Sequence, residues 1–469
     1  MIRTFAAFSA LALSLSSLSV QADSLREIYE LALANDAQLK QEEAIYLARR
    51  EAEKLSLSRL LPQINATYDR TESDQDLDSE SFDVGEGIGA VATSTNTDVT
   101  DESLQLSLRQ PLFDLPAWFS FQSGKETTKE AEATFASNQQ NLIVRTVQAY
   151  LLVLRAQDNL AASMAQERAF ERQLEQTQQR FEVGLIAITD VYEAQAARDL
   201  AQVSRLVDEN NVSVALEQLS VLTGQRHGNL NVLKEDFEIR PPDPLDRAAW
   251  VDFSLANNFL LQAAHYAEEA SRQDAKASRL EHLFKINGVY AYTDAQVDGS
   301  LTRKPETVFD TSPDRDLESH VWGVELNMPL YSGGAISSNR RRTAQEFNAA
   351  RENRINLTRN AISSTRSLHM TVVSDVSRIA ARKQSIISSK SSLDATTAGY
   401  EVGTRNVVDV LNAQNILFAA ERDYANSRYD YIINLMRLKE QAGLLSPQDV
   451  LKLDSNLIPP APATATSSK

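Results

Sequence analysis

Gln179-Arg180-Phe181-Glu182-Val183-Gly184-Leu185-Ile186-Ala187-Ile188-Thr189-Asp190-Val191 returns 219 residues later as Ala398-Gly399-Tyr400-Glu401-Val402-Gly403-Thr404-Arg405-Asn406-Val407-Val408-Asp409-Val410-Leu411. Both stretches carry aromatic-Glu-Val-Gly, then Asp-Val six residues past the Gly, and then Ala194-Gln195 or Ala413-Gln414 at the same offset. A shared offset over several positions is the signature of an internal repeat. Upstream, Ser58-Arg59-Leu60 matches Ser278-Arg279-Leu280, and Gln110-Pro111-Leu112-Phe113 matches Met328-Pro329-Leu330-Tyr331. Each half therefore runs helix, strand, loop, strand, long helix, turn, helix.

The helices are long. No Pro occurs from 117 to 240 or from 330 to 446, and Pro116 stands where a helix can begin. The segments 116–181 and 335–400 could each reach about 100 Å at the helical rise per residue. Ile143, Val147, Tyr150 and Leu154 keep the 4-3-4 spacing of a coiled-coil seam. Gly184 and Gly403 break the helices, and the Asp that follows each is placed to cap the returning helix.

Four short segments alternate with period two. Ile64, Ala66 and Tyr68 make one, Leu104, Leu106 and Leu108 the next. Ile286, Gly288, Tyr290 and Tyr292 make the third, and Val324, Leu326 and Met328 the fourth. Taken alone they read first as an ordinary half-buried sheet of a soluble protein. Between them, residues 71–102 hold ten carboxylates and no Lys or Arg, and 294–318 hold seven acids and three bases. Long polar loops at one end resemble the asymmetric ends of an outer-membrane barrel. Four strands cannot close a barrel, for which about eight is the practical minimum. An open sheet in lipid leaves backbone edges unpaired. Strands that enter a membrane therefore require an oligomer, and three chains would supply twelve strands.

Composition narrows the classes. Of 469 residues, 64 are acidic and 47 are Lys or Arg, for a net charge of −17, and there is no Cys. The acidic balance disfavours nucleic acid as partner, and the lack of Cys excludes disulfides, zinc–thiolate sites and a thiol nucleophile. The five His show no metal-ligand spacing. Gly85-Glu86-Gly87-Ile88-Gly89 lies in the acidic stretch and reads as a flexible loop. There is no Walker motif and no G-x-S-x-G elbow, so an enzyme is disfavoured and no cofactor is implied. Met1-Ile2-Arg3, an apolar run to Val20 and a small-x-small site at Val20-Gln21-Ala22 read as a secretory signal peptide cleaved before Asp23.

The two Gly-centred stretches resemble the hairpin tips of TolC-type outer-membrane efflux proteins. Leu112-Phe113-Asp114 with Trp118, and Pro329-Leu330-Tyr331-Ser332-Gly333-Gly334, resemble their strand-to-helix junctions. The resemblance spans roughly 23–455. It implies a mostly α fold with a membrane β-barrel: two tandem repeats, a homotrimeric 12-stranded barrel with four strands per chain, and a long coiled-coil α-barrel with an equatorial belt. The divisions that follow are a signal peptide at 1–22 and a first repeat at 23–225, with strands about 64–72 and 102–112, the long helix 116–181 and a tip at 182–190. An equatorial linker at 226–242 leads to a second repeat at 243–446, with strands about 286–294 and 320–330, the long helix 335–400 and a tip at 401–409. Residues 447–469 form an equatorial segment and a disordered tail.

The resemblance also implies a function: an outer-membrane exit duct for drug efflux or type I protein secretion, spanning into the periplasm. Its partners would be a periplasmic adaptor and an inner-membrane transporter, docking at Val183, Gly184, Leu185, Val402, Gly403 and Thr404. Carried over residue by residue, Tyr400 and Arg405 would hold the periplasmic gate against Thr189 and Asp190. Tyr400 would bond Asp190 within a chain, and Arg405 would reach Thr189 and Asp190 across chains. Without the resemblance, Asp190 reads as a helix cap and Arg405 as a solvated tip residue. The family's entrance carries two aspartates one helical turn apart. Here Asp409 is the first, and Asn412 replaces the second, leaving one ring of carboxylates, with Glu401 the next candidate for the entrance charge. The competing class is a soluble periplasmic coiled-coil adaptor or structural protein without a barrel.

Overall fold

The computed structural model describes residues 22–83, 89–304 and 313–460, with side chains described outside 81–83 and 89–91. Residues 1–21 of the expected signal peptide, the glycine-rich stretch at 85–88 and the tail from 461 lie outside the described residues. In chain order the elements are α1 (Leu25–Asn35), α2 (Ala37–Arg50), α3 (Ala52–Ser58), β1 (Gln63–Asp83), β2 (Gly89–Phe113), α4 (Leu115–Glu182), α5 (Ile188–Thr223) and β3 (Val232–Leu233). They continue as α6 (Arg247–Asn257), α7 (Phe259–Arg279), β4 (Lys285–Lys304), β5 (Arg315–Asn327), α8 (Ala335–Glu401), α9 (Val407–Gln441), α10 (Pro447–Asp454) and β6 (Leu457–Ile458). The succession strand, strand, long helix, helix thus occurs twice. The chain divides into two compact units, one of Met1–Ile45, Thr134–Leu261 and Leu357–Lys469, the other of Tyr46–Ala133 and Gln262–Asn356.

The second unit holds an antiparallel four-stranded sheet in the order β1-β2-β4-β5. Its register pairs Ile64 with Leu108 and Tyr68 with Leu104, Leu108 with Tyr290, and Tyr290 with Trp322. Directly opposed residues share a face, so these side chains form one apolar surface. That surface is bare in the single chain: Ile64 is 71%, Tyr68 62%, Trp322 83% and Val324 71% exposed. The other face carries Asn65, Thr67, Gln105, Ser107 and Arg109, with Arg109 3.6 Å from Glu325.

The strands run well past the alternating segments. Residues 71–83 and 89–102, expected as an acidic loop, are paired without interruption from Thr71 with Asp101 to Asp83 with Gly89. Likewise β4 continues to Lys304, paired with Ser94 of β2. Ser, Thr, Asn and Asp occupy both faces of this extension, so no apolar period marks it in the sequence, yet a backbone ladder needs none. Cross-strand polar contacts support it: Asn96 Nδ2 donates to Asp74 Oδ1 at 3.1 Å and Asp76 Oδ1 at 2.6 Å, and Ser79 and Thr93 hydroxyls meet at 2.9 Å. A strand crosses a bilayer core in about 9–11 residues, and the apolar band ends near Tyr68 and Leu104. At the other end Pro111 lacks an amide hydrogen, the ladder with β4 slips between Pro111 and Phe113, and the Phe113 ring stacks on Phe284 at 5.2 Å.

The first unit is built on the middle of α4. Ile143, Val147, Tyr150 and Leu154 are all at most 2% exposed, as their seam spacing requires. They share a core with Leu25 and Ile28 of α1, Leu219 of α5, Ile432 and Leu438 of α9 and Val450 of α10. Ser24 caps α1 in a reciprocal box with Glu27. The short strands β3 and β6 pair and bring the C-terminal segment onto the same core.

Truncating a seam residue leaves a cavity in this core. Leu154→Ala should destabilise the protein by about 2–5 kcal/mol, whereas Lys54→Ala at an exposed position should stay within about 0.5 kcal/mol. Denaturant unfolding of both variants measures the difference, and equal midpoints would contradict the placement of Leu154.

Candidate functional site

The ends of the long helices carry most of the residues singled out in the sequence. The two turns there have one geometry. After α4, Gly184 N–H donates to the Phe181 carbonyl at 2.8 Å and Leu185 N–H to the Arg180 carbonyl at 2.9 Å. After α8, Gly403 N–H donates to the Tyr400 carbonyl at 3.2 Å and Thr404 N–H to the Gly399 carbonyl at 2.9 Å. Each is a Schellman stop, and it demands positive φ at the Gly, which is +77° at Gly184 and +79° at Gly403. A Cβ at either Gly would meet nothing within 4 Å, so the requirement is conformational and not steric crowding. The turns project Val183, Leu185 and Val402 into solvent at 70%, 70% and 76% exposure.

The returning helices start differently from expectation. α5 is capped by Ala187 without a side-chain bond, and Asp190 stands in its first turn, where a carboxylate is favoured by the helix dipole. α9 is capped by Asn406, whose Oδ1 accepts from Asp409 N–H at 2.8 Å. Asp409 Oδ2 in turn accepts from Asn406 N–H at 3.4 Å and lies 3.8 Å from Arg405 Nη1. Asp409 is thus tied to its own helix start and stays half-buried, and Asn412 and Glu401 are exposed.

Tyr400 is only 5% exposed and packs with Phe170, Ala201, Val407, Val410 and Leu411. Its hydroxyl has no hydrogen-bond partner among the described residues, so the expected intrachain bond to Asp190 is not made here. The ring instead lies beneath the Arg180 guanidinium, 4.6 Å from its centroid. A cation over an aromatic face is attracted by the ring quadrupole. Arg180 also reaches the Glu401 carbonyl at 3.5 Å, which joins the last turns of α4 and α8. Thr189 and the Arg405 side chain are exposed, and Asp190 is half-buried. The links expected from Arg405 to Thr189 and Asp190 involve a second chain.

Among the described residues there is no group of His, Cys, Asp or Glu able to hold a metal, and no helix long and apolar enough to cross a membrane. The exposed apolar sheet face is the surface to account for. The family model described as "Outer membrane efflux protein" matches residues 28–225 and 250–444, each segment covering one strand pair and one helical hairpin. The chain belongs to that family. It is 33% identical over 454 residues to outer membrane protein TolC of Vibrio cholerae, covering 96% of this chain and 97% of that one. It is 28% identical to the alkaline protease secretion protein AprF of Pseudomonas aeruginosa, over 92% and 86% of the two chains. In fold it is similar to CusC, with a TM-score of 0.73 at 15% identity over 90% and 92% of the two chains. The CmeC outer membrane channel of Campylobacter jejuni gives 0.72 at 14% identity over 97% and 98%. As an outer membrane efflux protein, the chain is an exit duct of the outer membrane, and the soluble adaptor reading is set aside.

Two residues of this efflux protein's tips escaped the sequence reading. Arg180 and Gly399 occupy equivalent positions of the two repeated stretches, 219 apart. One is the largest cation and the other has no side chain. A Cβ at Gly399 would approach Arg405 Cγ to 2.9 Å, so Gly399 makes room for Arg405 while Arg180 covers Tyr400. That size inversion inside an otherwise parallel motif was the available signal.

Gly403→Val forces a β-branched residue into the left-handed region, at about 1–2 kcal/mol. Amide exchange at Thr404 and Arg405, both of which donate to the Gly399 carbonyl, should speed about tenfold, with the sheet unchanged. Hydrogen-exchange mass spectrometry of the tip peptides reads this directly, and unaltered exchange would remove the conformational role of Gly403.

Proposed function

We propose that three copies of this chain form a passive duct through the outer membrane, closed at the helical hairpin tips until a partner opens it. The observation that carries the reading is the sheet. Its order leaves β1 and β5 each with an unpaired edge in the single chain, and its apolar face is bare. Lipid does not tolerate free backbone donors and acceptors. Pairing β5 of one chain with β1 of the next removes both edges, and three copies give a closed barrel of twelve strands. The apolar face then meets lipid, the opposite face, which carries Asn65, Thr67, Gln105, Ser107 and Arg109 beside Val289 and Val321, lines the lumen, and the polar strand extensions lie beyond the bilayer. The paired helical hairpins continue the duct as a coiled-coil α-barrel with a belt that includes residues 226–242 and the C-terminal segment.

Energy comes from a partner. A periplasmic adaptor and an inner-membrane transporter dock at Val183, Gly184, Leu185, Val402, Gly403 and Thr404, a reading supported by the exposure of those turns. The cargo class is that of drug efflux or type I protein secretion, in keeping with relatives named for protease secretion and for cobalt-zinc-cadmium resistance. In the gate, Arg405 of one chain engages Thr189 and Asp190 of its neighbour, and Tyr400 supplies a hydroxyl that lacks a bond in the isolated chain. Each such link at a wetted tip is worth about 1 kcal/mol. Threefold repetition makes a closed state that a docking partner can override.

Detergent-solubilised protein should give three chain masses by light scattering corrected for detergent, and a monomer stable in bilayers would overturn the trimer. Tyr400→Phe combined with Arg405→Ser should raise single-channel conductance in planar bilayers at unchanged trimer yield. Tyr400→Phe keeps the ring under Arg180, so adding Arg180→Gln should raise conductance further. No change in either variant would remove the gate assignment. Asp409, brought threefold about the axis, should confer weak block by polyvalent cations that Asp409→Ala abolishes. Persisting block would move the entrance charge to Glu401.

A further inference from the structure

One polar contact in the first unit, within the belt segment, is given no role by the barrel, the tips or the gate. It gathers around Asp23, ahead of the Ser24 cap. Asp23 N–H donates to the Asn229 carbonyl at 2.9 Å, and Asn231 N–H donates to the Asp23 carbonyl at 3.2 Å, a parallel bridge centred on Leu230. The Asp23 carboxylate is 2.8 Å from His227 Nδ1. The other ring nitrogen of His227 is 2.7 Å from the Thr223 hydroxyl. The His227 side chain is 3% exposed. Beneath them the fully buried Tyr150 donates its hydroxyl to the Asn231 carbonyl at 2.7 Å. Asn231 Oδ1 is buried and has no hydrogen-bond partner among the described residues.

Main chain and side chain of a single residue are thus both gripped, and a buried acceptor nearby is left over. An orphaned buried acceptor costs its desolvation and calls for a donor. Asp23 is also the residue that follows the small-x-small junction at Val20-Gln21-Ala22. We propose that this contact is a receptor for the chain's own processed N-terminus. A leader peptidase hydrolyses the Ala22–Asp23 amide with one water, leaving a carboxylate on Ala22 and an α-ammonium on Asp23. The ammonium keeps the bond to Asn229 and carries two further donors that the amide lacks, matching the unsatisfied oxygen of Asn231. Charge also strengthens the bond to the carbonyl. His227, fixed by Thr223, holds the Asp23 side chain so that the new terminus is presented in one orientation. Leader removal and completion of this part of the core are therefore coupled, since a precursor offers only one donor here.

The test uses the full mature protein purified from outer membranes. Its intact mass should place Asp23 first, and a different first residue would overturn the proposal. A Gly-Ser insertion between Ala22 and Asp23, with mature mass beginning at Gly, preserves every side chain but turns the ammonium back into an amide. Exchange of the Asn231 amide, read by hydrogen-exchange mass spectrometry, should be at least tenfold faster in this extended protein and in His227→Ala. It should recover in large part in His227→Asn, whose amide nitrogen takes the place of Nδ1 and can still donate to Asp23. Unchanged exchange in the extended protein would overturn receipt of the ammonium, and unchanged exchange in His227→Ala would overturn the clamp. Trimer mass and conductance report on the duct separately, so failure here and failure there are distinguishable.

Discussion

Backbone hydrogen bonds that have no partner within one chain govern the sheet. β1 and β5 each present a free edge, and apolar side chains from all four strands stand bare on one face. In water such a sheet would aggregate; in lipid it must close. The same constraint explains why the polar extensions of β1, β2 and β4 are tolerable as strands: with water on both faces, Ser, Thr, Asn and Asp solvate the ladder from either side, and the apolar band stops where lipid would.

The tips obey a different rule. A helix about 100 Å long must stop sharply to turn back on itself, and both stops here use the same pair of backbone bonds around a Gly of positive φ. One difference between the two tips is side-chain size one turn earlier, Arg180 against Gly399. That asymmetry lets Arg180 lie over Tyr400 and gives Arg405 the space beside Gly399. Two near-copies of one motif thereby acquire unequal chemistry, one contributing a cation–aromatic contact and the other an exposed guanidinium near Asp409.

Asp409 illustrates how a residue named for one role is already engaged in another. Its carboxylate closes a capping box with Asn406 and lies near Arg405, so the charge at the tip is partly compensated within its own chain. Asn412, one turn on, adds no charge.

Much of this architecture was legible from residue order. The offset repeat located both helix stops, because a Schellman turn requires Gly at a fixed place. The spacing of Ile143, Val147, Tyr150 and Leu154 marked the buried seam, because helical period alone sets which residues share a face. Alternation at Ile64–Tyr68 and Leu104–Leu108 marked one apolar sheet face. Beyond those segments the extent of the strands was invisible, since pairing of Thr71 through Asp83 with Gly89 through Asp101 rests on backbone bonds and carries no apolar period. The placement of the Tyr400 ring under Arg180, the capping of α5 by Ala187 in place of Asp190, and the convergence of Asp23, Thr223 and His227 were decided only in three dimensions. Each joins residues by distance across helices, and local sequence encodes spacing along one element but not which side chain of another element arrives beside it.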